Sequence, residues 1–123
     1  MFINFSNHRI ENWGEEQLAA AKSYGEIIDL PFPNVDPEGD ENYISNLTEE
    51  YVEKLVSMMQ DPSTDVVHIM GELNLIYNVI CRLKLMGVKC VASTTERQVV
   101  EKVSENGEIN KVVTFKFCKF RKY

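Results

Sequence analysis

The stretch from Asp65 to Thr95 constrains the fold of this chain more than any other. It runs Asp-Val-Val-His-Ile-Met, then Gly71-Glu72, then a periodic segment from Leu73 to Met86, then Gly87, then Val-Lys-Cys-Val-Ala-Ser-Thr-Thr95. Two short apolar runs flank a segment with helical spacing, so the stretch reads as strand–helix–strand. Leu73, Ile76, Tyr77, Ile80, Leu83 and Leu85 form the expected apolar stripe. Gly87 sits where a left-handed cap commonly ends a helix. Such a crossover makes its two strands parallel and is right-handed. Both strands end in small polar residues, Gly71-Glu72 and Ser93-Thr94-Thr95. Open parallel sheets bind ligands outside the carboxyl ends of their strands, so this rim is where function is expected.

The rest of the chain extends the same pattern. Phe2-Ile-Asn-Phe5 is a first strand, followed by the polar loop Ser6-Asn7-His8-Arg9. Asn12 with Glu15 resembles a capping box, and Leu18, Ala19, Ala21 and Tyr24 carry a helix that Gly25 stops. Trp13 is expected to pack over the helix start. Glu26–Leu30 is a second strand, ended by Pro31 and Pro33. Residues 34–40 form a Pro/Gly/Asp-rich loop, either a binding element or a plain solvated connection. Ile44, Leu47, Tyr51, Leu55 and Met59 give a helical period over residues 40–60, with Thr48 placed to cap a second segment if the helix breaks near Asn46. After Thr95 the period becomes two, and Asn106-Gly107 is a two-residue hairpin signal. The sum is an α/β chain: a Rossmann-like parallel sheet (βαβαβαβ) with a C-terminal β-hairpin, in a three-layer sandwich. One domain covers residues 1–123, with a core of 1–95 and a hairpin of 96–123. The preferred order of the core strands is 2-1-3-4, and 3-2-1-4 stays open.

Composition narrows the function classes. A net charge of −6 argues against general binding of duplex nucleic acid. Lys111, Lys116, Lys119, Arg121 and Lys122 nevertheless load the C-terminal segment, so a small polyanion can still find local positive groups. No apolar run approaches the roughly 20 residues that span a bilayer, and the opening Met-Phe-Ile-Asn-Phe-Ser lacks the basic start of a secretory signal. A cytoplasmic protein without membrane contact is therefore expected. Cys81, Cys90 and Cys118 are widely spaced and read as buried, inert thiols rather than a disulfide framework or a zinc site. GxGxxG, GxxxxGK[ST] and GxSxG are absent, which disfavours dinucleotide, P-loop and serine-elbow chemistry. No metal or other cofactor is expected.

What remains is a set of polar residues that topology would gather. Ser6, Asn7 and His8 follow the first strand, Gly71 and Glu72 the third, and Ser93, Thr94, Thr95, Glu96 and Arg97 the fourth. The turn at Gly71 opens a helix whose free N–H groups can face an anion. Serine and threonine hydroxyls donate to phosphate, and Arg97 can clamp one through two N–H groups. His8 is the candidate titrating group, since an imidazole suits general acid–base work; a loop histidine tied to nearby backbone is the plainer alternative. His68, in mid-strand, reads as a satisfied interior residue. Glu72 reads first as a carboxylate favouring the positive helix N-terminus, and second as a base.

Four segments carry a resemblance. Asn4-Phe5-Ser6-Asn7-His8, Val67-His68-Ile69-Met70-Gly71-Glu72, Cys90-Val-Ala-Ser-Thr-Thr-Glu-Arg97 and Phe115-Lys-Phe-Cys-Lys-Phe-Arg-Lys-Tyr123 resemble small stand-alone CRISPR-associated proteins of the CARF-like ring-nuclease group. The resemblance runs in order over most of the chain, and its Ala-Ser-Thr-Thr-Glu-Arg and Phe-Arg-x-Tyr pieces are the more specific ones. It implies a Rossmann-like homodimer that binds cyclic oligoadenylate across its axis. It implies further that the ring is cut without metal, by attack of a ribose 2′-OH on the neighbouring phosphate. On this resemblance the catalytic residues are His8 and Ser6, which orient or activate the 2′-OH. The ligand-binding residues are Asn7, Ser93, Thr94, Thr95 and Arg97, with Gly71 and Glu72 lining the floor. No lysine of the family's catalytic kind stands in these loops. The alternatives are a non-catalytic cyclic-nucleotide sponge or sensor, and a protein-interaction subunit using the hairpin and basic terminus.

Overall fold

The computed structural model describes residues 1–123. In chain order it holds β1 (Phe2–Ser6), a 3-10 turn (Ile10–Asn12), α1 (Glu15–Lys22), β2 (Ile27–Asp29), α2 (Glu41–Met58), β3 (Val66–Met70), α3 (Leu73–Leu85), β4 (Lys89–Val103) and β5 (Ile109–Lys122). One five-stranded sheet has the order β2-β1-β3-β4-β5. The first four strands are parallel and β5 returns antiparallel to β4. The core strands thus follow 2-1-3-4, with β1 and β3 side by side, and not 3-2-1-4. No helix is long and apolar enough to cross a membrane.

Strand pleating sorts the side chains onto two unlike faces. Ile3, Phe5, Val67, Ile69 and Cys90 point to one face, where Val52 and Leu55 of α2 and Leu75, Val79, Ile80 and Leu83 of α3 close the main core. Phe2, Val66 and Val91 point to the other, where they pack with Trp13 and Ala21 and with the partly buried Ile10, Leu18, Ile27 and Phe120. Buried parallel strands are ordinarily apolar on both sides. Here Asn4, Ser6 and His68 interrupt the second face and are all buried. That face carries α1 alone, a helix of eight residues, so it is incompletely covered.

Several local expectations are corrected. In α3 the buried stripe is Leu75, Val79, Ile80 and Leu83, while Leu73, Tyr77 and Leu85 are 76%, 69% and 86% exposed. The helix is apolar over much of its circumference, and the choice of inward face is made by the sheet. The helix over residues 41–58 is unbroken: Asp40 caps it, accepting from the Tyr43 N–H at 2.9 Å, and Thr48 turns its hydroxyl back to the Ile44 carbonyl at 2.7 Å. Asn12 is no cap. Its N–H is taken by the Arg9 carbonyl at 2.9 Å within the 3-10 turn, and α1 starts after Gly14 instead. The hairpin turns through three residues rather than two. The Gly107 N–H reaches the Ser104 carbonyl at 2.9 Å and the Ser104 N–H reaches Glu108 at 2.8 Å. Gly107 supplies the left-handed φ of +84° that this longer turn needs. Of the cysteines only Cys90 is buried; Cys81 and Cys118 are exposed. Burial raises the Cys90 thiol to about 11, which leaves it inert at neutral pH.

Candidate functional site

Registration of the strands builds the centre of the site. Asn4 of β1 is flanked by Asp29 of β2 and His68 of β3. These three polar side chains form a row across the sheet, on the face that α1 only partly covers. Ser93 lies two residues beyond Val91, the β4 partner of His68, and so continues the row diagonally.

Hydrogen bonds join the row. Asn4 Nδ2 donates to Asp29 Oδ1 at 2.7 Å and to the His8 carbonyl at 2.9 Å. Asn4 Oδ1 accepts from the Ser6 hydroxyl at 2.8 Å and lies 2.8 Å from His68 Nδ1. His68 Nε2 lies 2.6 Å from Ser93 Oγ, and Gln17 Nε2 donates to the same oxygen at 3.1 Å. Every buried side-chain polar atom has a partner. Phe2 stacks on the His68 ring and Trp13 meets it edge-on. Trp13 also donates Nε1–H to the His8 carbonyl at 3.1 Å, which fixes the loop after β1. Burial pushes the His68 imidazole down from 6.5 to about 4, and the charge of His8 pushes in the same direction.

A cleft of about 730 Å³ opens over the Ser93 end of this row. That volume lies within the roughly 300–1,000 Å³ typical of small-ligand sites. Ser6, Asn7 and His8 line it from the first loop, Ser93 and Thr95 from β4, and Phe115, Lys116 and Phe117 from β5. Gly14, Glu15, Glu16 and Gln17 bring the start of α1 to its wall. Gly14 places no side chain over the first N–H groups of that helix, so they stay open to an acceptor. Lys116 is the cationic residue among those that line the cleft, and Glu15 and Glu16 line it too.

The sequence candidates divide accordingly. Ser6, Asn7, His8, Ser93 and Thr95 come together. Ser6 is buried, with its hydroxyl held between Asn4 and the His8 carbonyl. The His8 carbonyl is tied down while its side chain is exposed. Thr94, Gly71 and Glu72 stand elsewhere. Thr94 spends its hydroxyl on the backbone of Lys119 across the hairpin, beside a β-bulge that leaves Cys118 of β5 unpaired, while strand alternation sets Thr95 on the same face as Ser93. Arg97 is exposed on β4, two residues beyond Thr95 and paired with Phe115 of the cleft wall, so it shares their face of the hairpin at the cleft's edge. Gly71 packs on the opposite face, where an added Cβ would stand 2.6 Å from the Phe32 ring. The expected floor is therefore absent there: Glu72 caps α3 by accepting from the Leu75 N–H at 2.8 Å. That bond holds its carboxyl below the usual range. Glu72 instead borders a second cleft with Asp36, Asp40 and Glu41, whose charge opposes an anion. The open helix N-terminus of the main cleft belongs to α1, not α3.

Sequence reading passed over Asn4, Asp29, Gln17 and Lys116 as site residues and took His68 as interior. One signal for them is present in the chain: Asn4, Ser6 and His68 are in phase on strands that should be apolar throughout.

A family model described as the uncharacterized protein MJ1673 family matches residues 1–121. No curated protein and no solved structure matches the chain.

Proposed function

The chain belongs to the MJ1673 family, and we propose that it binds cyclic oligoadenylate and cleaves it without metal, by attack of a ribose 2′-OH on the adjacent phosphate. The fold is read as a Rossmann-like three-layer domain whose site lies at the strand ends beside the β1–β3 switch. The observation that carries the reading is the convergence on one cleft of the Ser6–His8 loop, Ser93, Thr95, the open start of α1 and Lys116. A phosphate accepts from helix N–H groups and hydroxyls, and Lys116 neutralises part of its charge. Phe115, 65% exposed at the cleft wall, offers a face for an adenine. Cleavage of this kind needs an aligned 2′-OH and donors on the phosphate more than a metal.

The ligand is a ring, and a two-fold axis lets each protomer hold half of it. Two exposed apolar surfaces support pairing with a second copy. One is the outer stripe of α3, Leu73, Tyr77 and Leu85; the other is the hairpin, with Val99, Val103 and Ile109.

The test is incubation of excess protein with cyclic tetra-adenylate in EDTA, resolved by chromatography. Linear products ending in a 2′,3′-cyclic phosphate are expected. A tight complex with intact ring defeats the catalytic half and leaves a sponge or sensor. Absence of binding defeats the reading and favours a protein-interaction role for the hairpin.

A further inference from the structure

We propose that Ser93 and His68 are the proton-accepting pair of this cleft, with Asn4 and Asp29 as positioning residues behind them; this rests on the cleavage reading given above. The amide of Asn4 has one allowed orientation. Its Nδ2 lies against the His8 carbonyl and Asp29 Oδ1, which only accept. The amide cannot be turned over without setting an oxygen against both. Its Oδ1 therefore faces His68 Nδ1 as an acceptor. His68 must then carry its proton on Nδ1, and its Nε2 is left with a lone pair. The only partner of Nε2 is Ser93 Oγ at 2.6 Å, so the serine hydroxyl donates to the imidazole. Gln17 donates to one lone pair of Ser93 Oγ. The remaining lone pair is available to the cleft that Ser93 lines.

A hydroxyl donating to a neutral imidazole that is itself held by a third polar group is the arrangement of an activated hydroxyl. Here the constellation spans four strands, a length of structure that packing alone does not require. The reaction it serves is balanced as follows. The substrate 2′-OH gives its proton to Ser93 Oγ as the Ser93 proton passes to His68 Nε2. The O2′–P bond forms and the P–O5′ bond breaks on the opposite side of phosphorus. Water at the cleft mouth protonates the departing O5′, and the imidazolium returns its proton to solvent through Ser93. No net proton is consumed, and no oxidant, reductant or metal is required. This places the base at the bottom of the cleft rather than at His8, which stands exposed at its edge.

Single-turnover cleavage of cyclic tetra-adenylate by wild type, Ser93→Ala, Ser93→Thr and His8→Ala, with ring binding measured alongside, tests the assignment. Ser93→Ala should cut cleavage at least about 100-fold, the lower end of what a positioned acid or base contributes. Its binding should change less than about threefold, and Ser93→Thr should restore part of the rate. A loss at His8→Ala as large as at Ser93→Ala overturns the assignment. In wild type the rate should stay level from pH 8 to pH 5, because the base remains unprotonated until about pH 4. The charged groups that bear on this profile are His8 from the β1 loop, Glu15 and Glu16 from α1, Asp29 from β2 and Lys116 from β5. Cleavage by wild type with Ser93→Ala within about fivefold of it overturns the assignment and spares the proposed function. A wild type that leaves the ring intact overturns both. Solution NMR of the imidazole nitrogens gives a check independent of turnover: protonation on Nε2 in place of Nδ1 also overturns the assignment.

Discussion

Acid should weaken this protein through one buried histidine, and the size of the effect follows from its surroundings. His68 is 2% exposed and titrates at about 4 when folded, against 6.5 for an ordinary imidazole. As pH falls through 6.5 the unfolded chain takes up a proton that the folded chain refuses. The stabilisation is thus complete above about 6.5 and is lost as pH falls toward about 4. Between pH 7 and pH 5 the loss amounts to about 2 kcal/mol, and it reaches about 3 kcal/mol below pH 4. The other lowered groups, Asp61, Asp65 and Glu72, are carboxylates, and their losses begin only near their ordinary values of 3.8 to 4.5. The window from 6.5 to 5 therefore isolates the histidine. Urea unfolding at pH 7 and pH 5 reads it, with a midpoint shift of about 1 M expected in wild type. His68→Gln starts from a lower midpoint and should show little of that shift, while His8→Gln should keep most of it, since burial is the larger cause. Equal shifts in wild type and His68→Gln would refute the reasoning, because the proton uptake would then belong to another group. Ser93→Ala, which leaves the imidazole buried, should retain the shift if His68→Gln proves too unstable to measure.

Two further outcomes are expected. Lys116→Ala should weaken cyclic tetra-adenylate binding by about 1.5–3 kcal/mol, the worth of a charge-assisted contact, whereas Lys54→Ala, on α2 at the opposite face of the sheet, should change it less than twofold; titration calorimetry separates them. In α3, Leu83→Ala should cost about 2–5 kcal/mol in denaturant unfolding because the side chain is fully buried, and Leu85→Ala, on the outer face, should stay within about 0.5 kcal/mol.

The local pattern of the chain carried far into the structure. Alternating apolar runs, the glycines at 25, 87 and 107, and the prolines after β2 specify elements whose ends lie close to those found, save that β4 runs on past Thr95 to Val103 and so joins the expected fourth core strand to the first strand of the hairpin. They do so because dihedral freedom and side-chain period are properties of neighbouring residues. The meeting of the Ser6–His8 loop with Ser93 was legible for a related reason: the loop follows β1, Ser93 lies within β4 just past its parallel pairing with β3, which ends at Val91, and parallel strands share a carboxyl rim.

Tertiary structure decided the rest. Which side of α3 turns inward was open, because Leu73, Tyr77 and Leu85 are as apolar as Leu75, Val79 and Leu83; only the sheet beneath chose. Gly71 and Glu72 follow β3 as expected, but α3 leaves toward the face opposite the cleft and takes its N-terminus with it. The relay from Asp29 through Asn4 and His68 to Ser93 depends on lateral register, which sets residues tens of positions apart side by side. Spacing along the chain holds no record of that register. It is fixed by the packing of Ile3, Phe5, Val67 and Ile69 against α2 and α3 on the far side of the sheet, which holds the strands where their polar neighbours must meet.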